Sequence, residues 1–172
     1  MDLQSLPPSP SPGLVNLIVE IPAGSRNKYE YVAEAGVMVL DRVLHSSVQY
    51  PFDYGFVPNT CAEDRSPLDA MVIMAEPTFA GCLIQARPIG LLDLHDGGVY
   101  DGKLLCVPVA DPRQVEIQSI RQIASSQLED VAEFFRTYRH LQGSAVTIGG
   151  WRDVDAVQPL LDSCIRAAKG SS

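Results

Sequence analysis

Two acidic loops contain the side chains with the clearest potential for chemistry. Asp64 and Asp69 lie on a proline-containing loop between two strand-like runs, and Asp93, Asp96 and Asp101 surround a pair of glycines further along the chain. Carboxylates at the mouth of a sheet suit hard divalent cations such as Mg²⁺, which prefer oxygen ligands in octahedral geometry. Taken alone, each loop is more typical of a solvated acidic turn. The interpretation therefore depends on the other residues that share the site.

Basic and phenolic side chains shift that interpretation toward a phosphate site. Lys28 and Glu30 are two residues apart, so a strand presents both on the same face. Glu20 ends another strand-like run, Tyr54 follows a proline turn, and Arg42 lies inside an apolar run, where an unpaired guanidinium is costly. Carboxylates that hold a metal, beside Lys and Arg that bind phosphoryl oxygens, predict a metal-bound phosphate. The alternative is that these charges pair with one another on the surface.

Composition limits the classes of partner. The chain has 172 residues, 46% of them hydrophobic, and a net charge of −8, which predicts one globular domain with a sizeable core. A pI near 4.7 argues against a nucleic-acid partner or an anionic membrane surface, because phosphates must be met by excess Lys and Arg. No apolar stretch reaches the length of a membrane span. The four cysteines lack metal-ligand spacing, so we expect reduced thiols and a cytoplasmic protein.

The order of the elements predicts an α+β fold. Residues 1–13 are rich in Pro and Ser and are expected to form a flexible N-terminal arm, and residues 14–172 a single domain. Short β-rich runs follow, which favour a barrel or a strongly curled sheet. After Asp111, apolar residues at helical spacing predict a helix that starts with a capping box at Ser126 and Glu129. A second helix is predicted around Val157 to Ile165, with Pro159 at a kink or in the first turn. The expected order is strands first and helices after.

Seven short motifs, in order and with near-constant spacing from about Asn16 to Trp151, carry a family resemblance. They are E-I-P at Glu20, K-Y-E at Lys28, L-D-R at Arg42, Y-P-F-D-Y-G-F at Tyr50 to Phe56, P-L-D at Asp69, D-G-K at Lys103 and F-F-R-T-Y at Tyr138. In this respect the chain resembles the soluble, Mg²⁺-dependent family I inorganic pyrophosphatases. No single motif is decisive, but seven in register make a chance match very improbable.

The resemblance implies a fold, a reaction and a role for each matching residue. The fold is a closed, five-stranded OB-like β-barrel with flanking helices, assembled as a homohexamer. The reaction is hydrolysis of inorganic diphosphate to two orthophosphates by metal-activated water, with several Mg²⁺ ions as cofactors and Mn²⁺ as an alternative. The implied catalytic residues are Tyr54, Asp64, Asp69 and Asp101; the metal ligands are Asp64, Asp69, Asp101, Asp96, Glu20 and Glu30; the substrate-binding residues are Lys28, Arg42, Tyr54, Lys103, Tyr138 and Arg139.

The acidic loop departs from the family pattern, which reads Asp-Gly-Asp-Pro-x-Asp. Ser66 occupies the position of the acid that accepts the proton of the attacking water, and the loss of such a base typically costs about 10² to 10⁴ in rate. Arg65 replaces the glycine, and it strains or reshapes the turn if that position requires positive φ. Arg139 replaces the usual lysine after the tyrosine, keeping the charge but not its geometry.

Two hypotheses follow from these substitutions. Either the site still works, with Arg65 folded away or binding phosphate, or the chain is a degenerate homologue. Such a homologue would keep the fold and hexamer and bind metal or phosphate with little or no activity. A third hypothesis, a barrel that binds single-stranded nucleic acid, conflicts with the acidic charge and the low aromatic content.

Overall fold

The computed structural model describes residues 2–170 and shows the predicted α+β fold. Its strands are β1 (Val15–Ile21), β2 (Asn27–Val32), β3 (Val37–Val43), β4 (Asp53–Val57), β5 (Leu68–Val72), β6 (Leu83–Asp96), β7 (Val99–Tyr100), β8 (Lys103–Pro108) and β9 (Val146–Asp153). The α-helices are α1 (Ser125–Thr137) and α2 (Val157–Gly170). Short 3₁₀ turns occur at Leu3–Ser5, Pro112–Gln114, Ile120–Gln122, His140–Gln142 and Val154–Ala156.

Five strands pair in a closed ring, in the order β1-β4-β5-β8-β6 and back to β1. Every pairing in the ring is antiparallel except that of β5 with β8. A Cβ on Gly55 of β4 would lie 1.9 Å from the Ile18 carbonyl oxygen of β1, so this closure requires glycine. The long β6 pairs with β1, β8 and β9 along successive, overlapping stretches, and its pairing with β8 shifts register between Pro88 and Gly90. The predicted five-stranded barrel is confirmed.

The two α-helices cover different clusters of buried side chains. One cluster joins strand residues such as Leu17 and Leu104, which are fully buried, to Leu161 and Cys164 of α2. The other joins alternate positions on the same strands to Phe134 and Phe135 of α1. Because successive side chains of a strand point to opposite faces, the barrel wall contributes to both clusters.

The predicted order of strands before helices is wrong, because β9 follows α1 and pairs with β6. Gly149 and Gly150 resemble a turn in the sequence but lie inside β9. A Cβ on Gly149 would lie 3.1 Å from the Asp93 Cβ, so glycine here permits close approach of two strands rather than a turn. The predicted second helix is confirmed as α2, with Pro159 in its first turn, where the missing N–H is tolerated.

The capping box predicted at Ser126 and Glu129 is also wrong. Helix α1 begins at Ser125, one residue earlier than the predicted cap, and its N-cap Ala124 makes no side-chain capping bond. A capping box does occur upstream, where Ser119 and Gln122 satisfy each other's backbone donors in a 3₁₀ turn. This Ser-x-x-Gln pattern lies just before α1, and the sequence does not reveal it as a capping box because no apolar residues at helical spacing follow it directly.

The N-terminal arm, residues 2–13, lies against the barrel and the β2–β3 hairpin. The Leu3 N–H donates to the Tyr31 hydroxyl at 3.0 Å, and the Asn59 N–H donates to the Gln4 carbonyl oxygen at 2.9 Å. The Asn16 side chain donates to the Pro7 carbonyl at 2.8 Å. The flexibility of this arm stays a prediction.

Within residues 2–170, the helices are too short or too polar to cross a membrane.

Candidate functional site

A single cavity of about 530 Å³ lies between the β2–β3 hairpin and one end of the barrel. Every residue that the resemblance implicates lines it: Glu20, Lys28, Glu30, Arg42, Tyr54, Asp64, Ser66, Asp69, Asp96, Asp101, Lys103, Tyr138 and Arg139. These residues come from β1 to β6, from β8, from the loops before β5 and β8, and from the segment after α1. The fold thus assembles one site from positions spread over most of the chain.

Lys103 is the most deeply buried charge in this cavity, with its side chain 3% exposed. Its ammonium is paired with the Asp69 carboxylate and lies 2.5 Å from Asp101 Oδ1. The parallel pairing of β5 with β8, which places Ala70 opposite Leu104, also sets Asp69 beside Lys103. Burial alone would lower the pKa of Lys103, but the two carboxylates outweigh that effect and raise it above its usual value. Lys103 is therefore held as a cation.

Tyr54 completes this buried group from the neighbouring strand. Its hydroxyl donates to Asp69 Oδ2 at 2.5 Å, and the Lys103 ammonium lies 5.8 Å from the centre of its ring. Burial, together with the nearby carboxylates of Asp69 and Asp101, raises the pKa of Tyr54 well above its usual value. The phenol thus stays protonated and fixes one oxygen of Asp69 through a charge-assisted hydrogen bond.

Glu20 lies on β1 next to the backbone of β2. Its Oε1 accepts a hydrogen bond from the Tyr31 N–H at 2.8 Å. Burial raises the pKa of Glu20 to about 7, and repulsion from Asp69 and Glu30 adds to the increase. The Tyr31 hydrogen bond and the charge of Lys28 oppose it. The positive charge near Glu20 is therefore too small to offset the cost of burying its carboxylate beside two other acids.

The β2–β3 hairpin supplies two cations from cross-strand partners. Lys28 lies opposite Arg42, and both contact Asp41, at 3.1 Å and 2.7 Å respectively. Lys28 also pairs with Glu30, and the Arg42 guanidinium donates to the Gln142 side chain at 2.8 Å. The hairpin therefore presents its cations at the cavity wall in a fixed arrangement.

The segment after α1 closes the opposite side of the cavity. Arg139 pairs with Asp96, whose other oxygen accepts from the Ser144 hydroxyl at 2.9 Å. Tyr138 stacks on Phe134 with 5.3 Å between ring centres. Burial raises the pKa of Tyr138, so its hydroxyl remains available as a hydrogen-bond donor.

The loop that carries Asp64, Arg65 and Ser66 is a tight turn. The Ala62 N–H donates to the Ser66 carbonyl at 2.7 Å, and the Arg65 N–H donates to the Ala62 carbonyl at 3.0 Å. The Ser66 N–H donates to Asp64 Oδ1 at 2.9 Å. Arg65 has φ of 70°, the left-handed conformation that favours glycine. The turn thus keeps a glycine-type backbone with an arginine side chain on it.

Two structural residues of the site lie inside the quoted motifs without having been singled out. Asp41, in L-D-R, bridges Lys28 and Arg42. Asp53, in the tyrosine-rich motif, is fully buried and accepts from the Ala23 N–H at 2.8 Å and from the Thr78 hydroxyl at 2.5 Å. In the sequence, each is only an acidic residue adjacent to a predicted site residue. Only the contacts in the structure show which groups each carboxylate binds.

The donor chemistry of the cavity fits a hard divalent cation. Its acids are Glu20, Glu30, Asp64, Asp69, Asp96 and Asp101, and carboxylate oxygens are the ligands that Mg²⁺ prefers. Across residues 2–170, however, no three acidic, His or Cys side chains converge closely enough to hold a metal as they are now placed. Lys103 and Arg139 neutralise three of the acids. A cation bound by these acids would have to replace Lys103 and Arg139 as their partners.

Comparison with known proteins agrees with the geometry. The sequence profile of the inorganic pyrophosphatase family matches residues 17–169. An inorganic pyrophosphatase of Synechocystis sp. is 54% identical over 169 residues, covering 98% of this chain and 100% of that protein. One from Methanosarcina mazei is 47% identical over 145 residues, covering 84% and 86%.

Solved structures give the same result for the fold. The crystal structure of inorganic pyrophosphatase from Thermus thermophilus superposes with a TM-score of 0.94 at 38% identity, covering 99% of this chain and 100% of that one. The Helicobacter pylori inorganic pyrophosphatase superposes with a TM-score of 0.92 at 32% identity, covering 96% and 99%. The barrel, the cavity and the sequence match together show that this chain belongs to the inorganic pyrophosphatase family.

Proposed function

We propose that this chain hydrolyses inorganic diphosphate to two orthophosphates in the cavity at the end of the barrel. The observation that carries the proposal is the convergence there of every residue that the resemblance implicates. A cavity lined by cations, carboxylates and phenols matches a small, highly charged anion better than an apolar ligand. Relatives that align over nearly the whole chain are named inorganic pyrophosphatases.

In this proposal, the cationic side chains bind and orient the substrate. Lys28 and Arg42 on the hairpin bind phosphoryl oxygens on one side, and Arg139 with the Tyr138 hydroxyl binds them on the other. Lys103 lies at the base of the cavity between them. Binding the two phosphoryl groups from opposite sides fixes the bridging oxygen and reduces the entropic cost of reaching the transition state. Burial strengthens the contact of Lys103 most, because its side chain is far less exposed than those of Lys28, Arg42 and Arg139.

The carboxylates are proposed to hold divalent cations, Mg²⁺ above all and Mn²⁺ as an alternative. Asp64, Asp69 and Asp101 are the principal ligands, and Asp96, Glu20 and Glu30 hold further ions or their waters. When bound, such ions lower the pKa of an attacking water and neutralise phosphoryl charge. Lys103 and Arg139, now paired with Asp69, Asp101 and Asp96, would be free to bind phosphoryl oxygens if these carboxylates held cations.

Ser66 limits the rate in this account. Its hydroxyl makes no side-chain hydrogen bond within the described part of the chain, and its high pKa makes it a poor proton acceptor. We therefore propose turnover that is slower, by about 10² to 10⁴, than the same site would support with a carboxylate at this position. The remaining residues of the cavity still bind the substrate.

The test is orthophosphate release from diphosphate in the presence of Mg²⁺. The natural protein is compared with Asp101→Asn, which removes a proposed ligand from the cavity, and with Asp130→Asn, which removes an exposed carboxylate of α1 that does not line it. We expect turnover that Asp101→Asn abolishes and Asp130→Asn leaves unchanged. Equal rates for both variants would show that the activity resides elsewhere.

A homohexameric assembly and a cytoplasmic location are proposed alongside this activity. The hexamer follows from the resemblance alone, and light scattering of the purified protein measures it directly. The location is supported by the four free cysteines, Cys61, Cys82, Cys106 and Cys164, since free thiols persist in reducing compartments.

A further inference from the structure

Arg65 differs from the other cations of the cavity in its lack of an acidic partner. Each other lysine or arginine lining the cavity is paired with at least one carboxylate: Lys28 with Glu30 and Asp41, Arg42 with Asp41, Lys103 with Asp69 and Asp101, and Arg139 with Asp96. Over residues 2–170, Arg65 makes neither an ion pair nor a side-chain hydrogen bond, although it lines the same cavity. Arg65 is an exposed residue at the edge of this acid-rich cavity, and within the described part of the chain its guanidinium has no acidic partner.

The turn holds Arg65 at the cavity at an energetic cost. Its φ of 70° is unfavourable for an L-residue other than Gly, Asn or Asp. Three hydrogen bonds between Ala62, Asp64, Arg65 and Ser66 maintain the turn, and the Thr60 hydroxyl anchors its base by accepting from the Leu68 N–H at 2.8 Å. Strained residues that persist in this way cluster at sites where the conformation serves binding.

From these observations we infer that Arg65 is a substrate-binding residue that contacts a phosphoryl group of diphosphate directly. The inference rests on the proposed function. A guanidinium forms two parallel hydrogen bonds to phosphoryl oxygens, and Arg65 can form them without first giving up a carboxylate. Each of the other cations must first break an ion pair with a carboxylate before it can bind phosphate. Arg65 can therefore contact the incoming anion first.

The test is calorimetric binding of methylenediphosphonate, a diphosphate analogue that the reaction cannot cleave, at a fixed Mg²⁺ concentration. The variants are Arg65→Gln, Arg65→Lys and a matched control, Arg166→Gln. Arg166 is an exposed arginine of α2 that lies outside the cavity. All three keep a long side chain, and the glutamine variants each remove one positive charge.

We expect Arg65→Gln to raise the Kd about 10- to 100-fold, the range for a lost charge-assisted hydrogen bond. Arg65→Lys should recover part of the lost affinity, since a lysine keeps the positive charge but cannot form two parallel hydrogen bonds. Arg166→Gln should bind like the natural protein. Equal Kd values for Arg65→Gln and Arg166→Gln would overturn the inference.

A further variant, Arg42→Gln, separates failure of this inference from failure of the proposed function. If Arg42→Gln weakens binding and Arg65→Gln does not, only the role of Arg65 is refuted. If the natural protein does not bind methylenediphosphonate, both the role of Arg65 and the proposed function are refuted.

Discussion

Replacing Glu20 with glutamine should stabilise the metal-free protein at alkaline pH. The Glu20 carboxylate is held in a largely buried position beside Asp69 and Glu30, which raises its pKa from the usual 4.5 to about 7. A glutamine keeps the shape, and its side-chain oxygen can still accept from the Tyr31 N–H. The substitution therefore removes an unfavourable charge without removing the hydrogen bond.

The sign and size of the effect follow from the linkage between proton binding and folding. Because the folded state binds the Glu20 proton more tightly than the unfolded state, the contribution of this group is full below about pH 4.5 and is lost as pH rises through about 7. At about 1.36 kcal/mol per pH unit, the gap between 4.5 and about 7 corresponds to about 3 kcal/mol as an upper bound. At 2 to 4 °C per kcal/mol for a chain of this size, roughly, Tm should rise by several degrees.

Thermal unfolding in EDTA at pH 8 and at pH 5 measures the effect. We expect Glu20→Gln to raise Tm at pH 8 and to lose most of that gain at pH 5, while Glu76→Gln, an exposed control outside the cavity, changes little at either pH. Saturating Mg²⁺ should then stabilise the natural protein more than the variant, since a ligand stabilises the state that binds it. A Glu20→Gln variant that is less stable at pH 8, or that gains equally at both values, would refute the electrostatic account of this cavity.

Three further substitutions test separate parts of the structure. Tyr54→Phe removes the 2.5 Å hydrogen bond to Asp69 but keeps the ring packing. We therefore expect kcat for diphosphate to fall about 10-fold with little change in Tm. An unchanged kcat would show that Asp69 does not need this hydrogen bond. Lys103→Met leaves Asp69 and Asp101 without their cation. The free energy of unfolding of the metal-free protein, measured in urea, should therefore fall by roughly 3 kcal/mol or more. A more stable variant would contradict the pairing. Gly55→Ala forces a Cβ to within 1.9 Å of the Ile18 carbonyl, so Tm should drop sharply. Gly170→Ala, where no atom of the described residues lies within 4 Å of the added Cβ, should not lower Tm.

The sequence contains most of the information about which residues form the site. Lys28 and Glu30 were predicted from alternation on a strand, and Arg42 from its position inside an apolar run. Strand β2 pairs with β3 so that Lys28 lies opposite Arg42. The resemblance added Lys103 and Tyr138 and implied that Asp96, from the second acidic loop, belongs to the same site. No local pattern connects these residues to the hairpin. All of them line one cavity.

The order of the strands in the barrel and the internal pairing of charges could not be predicted from local sequence patterns. The parallel pairing of β5 with β8 joins residues more than thirty positions apart, and alternation gives no indication of which strands become neighbours. The pairing of Lys103 with Asp69 depends on that register. The strand β9 was missed because two glycines that permit close strand packing look the same in sequence as two glycines in a turn.

Arg65 shows the same limit at a single residue. Its sequence context raised two options, a side chain folded away or one that contacts phosphate. The backbone conformation, and the lack of an ion pair to any residue from 2 to 170, come only from the structure.

The most direct test of the central claim is kcat for diphosphate hydrolysis at saturating Mg²⁺ for the natural protein, Ser66→Ala and Ser66→Asp. The claim is that this cavity hydrolyses diphosphate with a serine where a proton acceptor would be expected. It predicts measurable turnover by the natural protein, the same kcat for Ser66→Ala, and an increase of at least about 10² for Ser66→Asp. No turnover by the natural protein, or loss of activity in Ser66→Ala, would contradict it.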